Sequence, residues 1–143
     1  MDPGALPKAE FAFPGRFRDQ LVAAILDGSK TSTTGLVEEH EHGREPLPTV
    51  GDLSVVVDSD ERPVAIIETT SVRVAPLVQV DVAHAVAEGE GFTTISQWRK
   101  AHVRFWHSPK MRRALGNPAF TVDDATLVVL ERFRVIADLR GKS

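Results

Sequence analysis

The stretch Gly28-Ser29-Lys30-Thr31-Ser32-Thr33-Thr34 sets one lysine among five hydroxyl side chains. A hydroxyl attacks a carbonyl when a neighbouring base takes its proton, and a lysine either supplies such a base or holds an anion. A second constellation lies in Ala83-His84-Ala85-Val86-Ala87-Glu88-Gly89, where His84 and Glu88 are four apart and share a helix face. The Glu88 carboxylate falls in the last helical turn, at the negative end of the dipole, which disfavours its charged form. With an ammonium close by the two effects oppose each other, and such a glutamate can act as a general base in a dry cleft. The plainer alternatives are an exposed lysine in a turn and a solvated carboxylate at a helix end.

Other clusters carry weaker chemistry. The lysine motif is not a phosphate-binding P-loop, because Ala24 and Ser29 stand where that motif needs glycines and the order of elements is reversed. Glu38, Glu39, His40, Glu41 and His42 offer hard and borderline metal ligands, but contiguous ligands are read more simply as a solvated loop. Glu68 lies inside the apolar run Val64–Thr70, so it reaches the sheet rim or pairs with a base such as Arg73 or Lys30. From Gly91 to Val122 there is no acid, while Arg99, Lys100, Arg104, Lys110, Arg112 and Arg113 add positive charge near Trp98, Phe105 and Trp106. That composition suits phosphate contact with base stacking. Ile95, Trp98, His102, Phe105 and Trp106 also recur at helical period, which assigns most of them to a core; Trp106, at the helix end, could be either.

The elements that position these groups can be read in order. Phe17, Leu21, Ala24 and Ile25 form one apolar stripe of a helix that Gly28 ends, and a β-branched strand follows. Lys30 therefore sits at a helix-to-strand junction. Leu53–Val57 and Val64–Val74, joined through Ser59-Asp60-Glu61-Arg62-Pro63, read as an antiparallel hairpin. Asp81–Glu88 and Thr94–Trp106 read as helices, the second opened by a Thr94/Gln97 capping box. Lys110–Phe120 reads as a loop with a helical turn near Met111–Leu115. Thr126–Ile136 closes the chain as a strand with Leu127, Val129, Phe133 and Val135 on one face. The order α, β, β, β, α, α, β predicts an α+β fold, a mostly antiparallel sheet or small barrel with flanking helices.

Composition narrows the classes. At 143 residues, 42% hydrophobic and 26% charged, the chain is one ordinary globular domain. A net charge of −3 argues against coating nucleic acid by bulk electrostatics. With no cysteine there is neither a disulfide nor a thiolate site. No apolar run has the length of a membrane span and Met1–Glu10 has no signal core, so a cytoplasmic protein is expected.

Taken together, Lys30-Thr31-Ser32-Thr33 after Gly28, and Ala87-Glu88-Gly89-Glu90-Gly91 followed by Trp98 and His102, resemble the activating-signal-cointegrator homology (ASCH) family. The resemblance covers about residues 11–136. It implies a PUA-like small β-barrel with a cleft between barrel and helices, a flexible segment at 1–10 and a tail at 137–143. It implies a nucleoside or single-stranded RNA as partner. Some small bacterial members are amidohydrolases of acetylated cytidine nucleosides, and their catalytic residues look like Lys30, Thr33 and Glu88. Thr31, Thr34, Glu68, His84, Trp98, His102 and Trp106 are then candidate binding side chains around them, with the six cations as an RNA rim. Those small enzymes carry an arginine two residues past the threonine, where this chain has Gly35, so it looks closer to the longer bacterial branch. Three activities stay open: hydrolysis without a cofactor, ribonuclease action with a divalent metal, and RNA binding without catalysis.

Overall fold

The computed structural model describes residues 2–141. Helix α1 (Arg16–Asp27) ends on Gly28 in the left-handed region, φ 88°, as the sequence requires. The chain then turns at Lys30 into β2 (Ser32–Leu36). Strands β3 (Leu53–Val57) and β4 (Pro63–Pro76) form the expected antiparallel hairpin. Helices α3 (Val82–Ala87) and α4 (Ile95–Trp106) follow, capped by the side chains of Asp81 and Thr94, and β5 (Leu127–Asp138) closes the fold.

The strands form one curled sheet in the order β1-β3-β4-β5-β2, where β1 is Lys8–Ala9. Every pairing is antiparallel except β1 with β3. Strand β4 is long enough to pair with β3 and β5 together, and register shifts at Ile66/Ile67 and Thr69/Ser71 bend it. The result is a half-barrel of PUA-like type with helices beside it, the α+β arrangement expected. Among the described residues no helix is long and apolar enough to cross a membrane.

Two apolar cores lie on opposite faces of the sheet. One packs Leu36, Ala75, Val128 and Leu130 beneath Trp98, Trp106 and Met111. The other packs Ile67, Phe133 and Val56 against Leu21, Val22 and Ile25 of α1. Because β5 is covered on both faces, Val128, Val129, Leu130 and Phe133 are all buried, while Leu127 and Val135 at its ends are exposed. The one-face alternation expected for this strand therefore gives way to two-sided burial.

Several expectations are corrected. The acidic run is not a loop but a helix, α2 (Val37–Gly43), whose Glu39 carboxylate accepts from the Leu36 amide at 3.0 Å. Pro109–Ala114 is a helix, α5, with Ser108 as its cap. The segment 1–10 is not wholly loose, since Lys8 and Ala9 pair beside Val55 and Val56. Nor is 137–143 simply a tail: Ala137 and Asp138 extend β5, and the Leu139 amide donates to Val64 at 2.9 Å; Lys142 and Ser143 lie outside the described residues. The buried stripe of α1 is Arg18, Leu21, Val22 and Ile25, which leaves Phe17 45% exposed.

The end of α3 is pressed against the Lys30 turn. The Thr31 amide donates to Ala87 at 2.8 Å, and a Cβ added at Gly89, where φ is +72°, would lie 2.5 Å from the Ser29 carbonyl oxygen. Gly91 has a similar φ of +86° with nothing within 4 Å, so it isolates the conformational part of the penalty. Gly89→Ala is expected to destabilise by about 1–3 kcal/mol for backbone strain with a steric cost added, and Gly91→Ala by the strain alone. Urea denaturation of the two variants checks the difference.

Candidate functional site

Strand β2 and helix α3 meet because two β2 hydroxyls on one face reach the helix. Ser32 Oγ donates to the His84 carbonyl at 3.0 Å, and Thr34 Oγ1 lies 2.7 Å from His84 Nε2. Thr34 Oγ1 also donates to Glu88 Oε2 at 3.0 Å. The i, i+4 pair of His84 and Glu88 thus converges on one hydroxyl. Thr33 lies between Ser32 and Thr34 on the strand and so faces the other side of the sheet, opposite Glu131. The structure therefore brings Thr34, and not Thr33, to Glu88.

Glu88 is 2% exposed and surrounded by donors. Besides Thr34, the Trp98 indole N–H donates to Oε2, and His102 Nε2 donates to Oε1 at 3.2 Å. Lys30 Nζ stands 3.6 Å from Oε1 and 3.9 Å from Glu90 Oε2, and donates to the Ser32 carbonyl at 2.8 Å. Lys30 is itself 2% exposed, and its ammonium lies 5.9 Å from the Phe11 ring centroid. The His102 ring stacks on Trp98 at 4.3 Å and its Nδ1 meets the Trp98 carbonyl at 2.9 Å.

These contacts set the charges. Burial pushes the Glu88 carboxyl up, but the His102 hydrogen bond and charge, the Lys30 charge and the Trp98 indole outweigh it and bring it down to about 2. For His102 burial opposes the charged form, yet the hydrogen bond and charge of Glu88 hold the imidazolium above its ordinary range. Burial dominates at Lys30 and lowers it despite Glu88 and Glu90. Burial likewise lowers His84 more than the Glu88 charge raises it, with Arg132 and Lys30 adding to the lowering. A carboxylate held near 2 is a stabilised anion and a weak base.

Glu88, Glu90 and His102 place one ligand atom each within 4.8 Å of one another. The set does not fit a resident divalent ion. The Lys30 ammonium already lies beside both carboxylates, and His102 Nε2 needs its proton for Glu88 whereas a ligand nitrogen must be bare.

The remaining candidates are distributed as follows. Thr31 is exposed beside the Ala87 carbonyl. Glu68 pairs with Arg134 at 2.7 Å, and with neither Lys30 nor Arg73. Trp98 and Trp106 are both buried, Trp106 at 1% exposed, so neither offers a free ring for stacking. Arg99 is paired with Asp124, and Arg112 Nε donates to the Phe120 carbonyl at 2.9 Å. Lys100, Arg104, Lys110 and Arg113 are exposed. An open groove of about 600 Å³ lies between the α1 entry and the α4–α5 corner, lined by Phe13, Phe17, Phe105, Arg16, Lys110 and Arg113. Of these, Phe13 and Arg16 went unmarked in the sequence, and Phe17 was read into the apolar stripe of α1; the spacing of Phe13 and Phe17 across the start of that helix was the available signal.

Burial gives Lys30 and Glu88 a structural role, contrary to their reading as cleft residues. Removing either charge leaves its partner buried and uncompensated, so Lys30→Ala and Glu88→Ala should each lose about 3–5 kcal/mol in urea denaturation. The pH profile carries a sign. Because the folded Glu88 carboxyl lies below its ordinary 4.5, its contribution is present above about 4.5 and fades as pH falls toward about 2. His102, held above 6.5, contributes at lower pH and loses that contribution as pH rises through its folded value. Glu88→Gln should therefore flatten the acid limb of a stability–pH curve between about 4.5 and 2.

Comparison with known proteins agrees with this architecture. The family model described as ASCH domain matches residues 10–137. The crystal structure of an ASCH domain from Lactobacillus crispatus JV V101 is 31% identical, with a TM-score of 0.77, covering 91% of this chain and 79% of that one. The crystal structure of protein EF3133 from Enterococcus faecalis V583 is 26% identical, with a TM-score of 0.78, covering 93% of this chain and 77% of that one. No curated protein matches the chain significantly. Matched by the family model over most of its length and similar to an ASCH domain of known structure, the chain belongs to the ASCH domain family.

Proposed function

We propose that this ASCH domain binds single-stranded RNA along the groove between α1 and the α4–α5 corner. The observation that carries the reading is the pairing of aromatic rings with cations there, without an acid in the lining. Phe17 is 45% exposed and Phe105 lies 6.3 Å from it, with Phe13 5.9 Å beyond. Arg16, Lys110 and Arg113 rim the rings, and the Lys110 ammonium lies 5.9 Å from the Phe13 centroid. A base can stack on the free face of Phe17 while the cations neutralise phosphates; each stacked base contributes about 1–3 kcal/mol. In this reading Lys30 and Glu88 hold the walls in place rather than touch the strand.

Binding should weaken with salt, and Lys110→Ala with Arg113→Ala should reduce the log–log slope by roughly 1.4, about 0.7 per lost phosphate contact. Phe17→Ala should weaken binding about equally at every salt concentration. Fluorescence anisotropy with short single-stranded RNAs checks both. Tighter binding of an acidic peptide than of RNA, or RNA affinity indifferent to all three substitutions, would sink the proposal.

The contact between Thr34 and His84 favours a second reading, hydrolysis of acylated nucleosides of the acetylated-cytidine type. Thr34 Oγ1 would turn its single proton from Glu88 to Nε2 of a neutral His84 protonated at Nδ1, and would attack the acyl carbonyl as Nε2 takes that proton and passes it to the leaving amine. Water would then release the acyl group as the acid. Glu88, at about 2, is too weak a base for that first step. With a panel of acylated nucleosides read by mass spectrometry, Thr34→Val and His84→Gln should abolish turnover and Thr33→Val should retain it. The reverse ranking, with Thr33 essential, would refute this assignment.

A further inference from the structure

We propose that the polar end of the sheet face beneath α3 is a phosphoryl-binding site, built by Arg73 and Arg132 with Ser71 and His84. The register dictates this grouping. Ser71 of β4 lies opposite Arg132 of β5, and Arg73 lies opposite Leu130. Residues two apart on a strand share a face, so all four side chains project the same way. Strand β2 continues the rows, Ser32 opposite Arg132 and Thr34 opposite Leu130. One layer further along, Leu36, Val128 and Ala75 belong to the core under the tryptophans. The face thus passes from an apolar layer to a layer holding Thr34 and Arg73, and then to one holding Arg132 and Ser71.

That last pair of layers walls a pocket of about 220 Å³, with His84 and Asp81 of the α3 segment on its other side. Arg73 and Arg132 are diagonal neighbours across two strands, where like charges repel. Neither has a carboxylate within ion-pair distance among the described residues, although Arg62, Arg99, Arg134 and Arg140 each do. Asp81 also lines the pocket but pairs with neither arginine; its Oδ1 accepts from the His84 amide at 2.9 Å. Two guanidiniums facing one small space supply forked N–H pairs that suit a tetrahedral oxyanion. Ser71 adds a hydroxyl donor. The volume is below the usual range for a whole drug-sized ligand, so it fits a phosphoryl group better than a complete nucleotide.

The site uses no residue of the phenylalanine groove, so it stands apart from the RNA reading above. His84 connects it inward, because Nε2 of that ring meets Thr34 at 2.7 Å and Thr34 meets Glu88. A bound oxyanion would offset the Arg132 charge that helps hold His84 in its neutral form.

The test titrates the full chain with inorganic phosphate, uridine 5′-monophosphate, uridine and acetate, by calorimetry and by the His84 ring resonances in NMR. Phosphate and the monophosphate should bind and shift His84, while uridine and acetate should bind at least about tenfold more weakly. Both arginines are exposed on strands, so Arg73→Gln with Arg132→Gln should keep the melting temperature and lose phosphate binding by about tenfold or more. Arg73→Gln alone supplies the same readout if the double variant is unstable. A short single-stranded RNA identifies the source of the phosphoryl group. RNA affinity falling in parallel in these variants points to a backbone phosphate, whereas unchanged RNA affinity with lost phosphate binding points to a free phosphomonoester. No phosphate binding by the wild type, equal binding by the variants, or uridine or acetate binding as tightly as phosphate would overturn the proposal.

Discussion

One buried carboxylate organises the centre of this domain. Taking Glu88 out of water is unfavourable by several kcal/mol unless its lone pairs and charge are answered locally. The answers come from Thr34 on β2, Trp98 and His102 on α4, and Lys30 at the α1–β2 turn. Three segments, β2, α4 and the Lys30 turn, are thereby held to the end of α3. The Gly89 approach to Ser29 and the Thr31–Ala87 hydrogen bond reinforce the same junction from the backbone. Helix α3 has only six residues and could not hold its place by its own propensity.

The cage also determines where chemistry can and cannot occur. Its members spend their donors on one another, and Lys30 and Glu88 are shut off from solvent. Thr34 and His84 touch the cage from its edge, and His84 also lines the arginine-walled pocket. The aromatic and cationic groups of the acid-free segment are likewise redistributed. Trp98 and Trp106 are spent on the core, and Arg99 and Arg112 on local partners, so the exposed aromatic and cationic surface is built from Phe17, Lys110, Arg113 and Arg16.

Elements governed by local rules were legible in the residues. Gly28 ends α1 because it tolerates the left-handed conformation, and Thr94 with Gln97 starts α4 by satisfying free amides. The hairpin around Ser59–Pro63 and the order of elements follow from turn residues and β-branched runs. Helix α2 was less legible, since Glu-Glu-His-Glu-His is compatible with loop or helix until the Glu39 carboxylate finds the Leu36 amide. Arg18 illustrates a different difficulty. Its position in the buried stripe depends on the Ala12 carbonyl, 2.8 Å from its guanidinium, and on Glu61 from a remote turn.

By itself the sequence carried the family resemblance, and its short-range spacing determined the α+β class, the order of the seven main elements, the place of Lys30 at a helix-to-strand junction and the pairing of His84 with Glu88 on one helix face. Only the tertiary structure decided which hydroxyl serves them. Thr33 and Thr34 are adjacent and chemically alike, yet strand parity, set by pairing with Glu131 and Leu130 far along the chain, turns one away and the other in. The same holds for Phe17 and Trp106: each occupies a helical position with apolar neighbours, and only the direction from which the sheet packs sends the tryptophan inside and the phenylalanine out. Periodicity specifies that a helix has an apolar face; the partner surface decides where that face begins and ends.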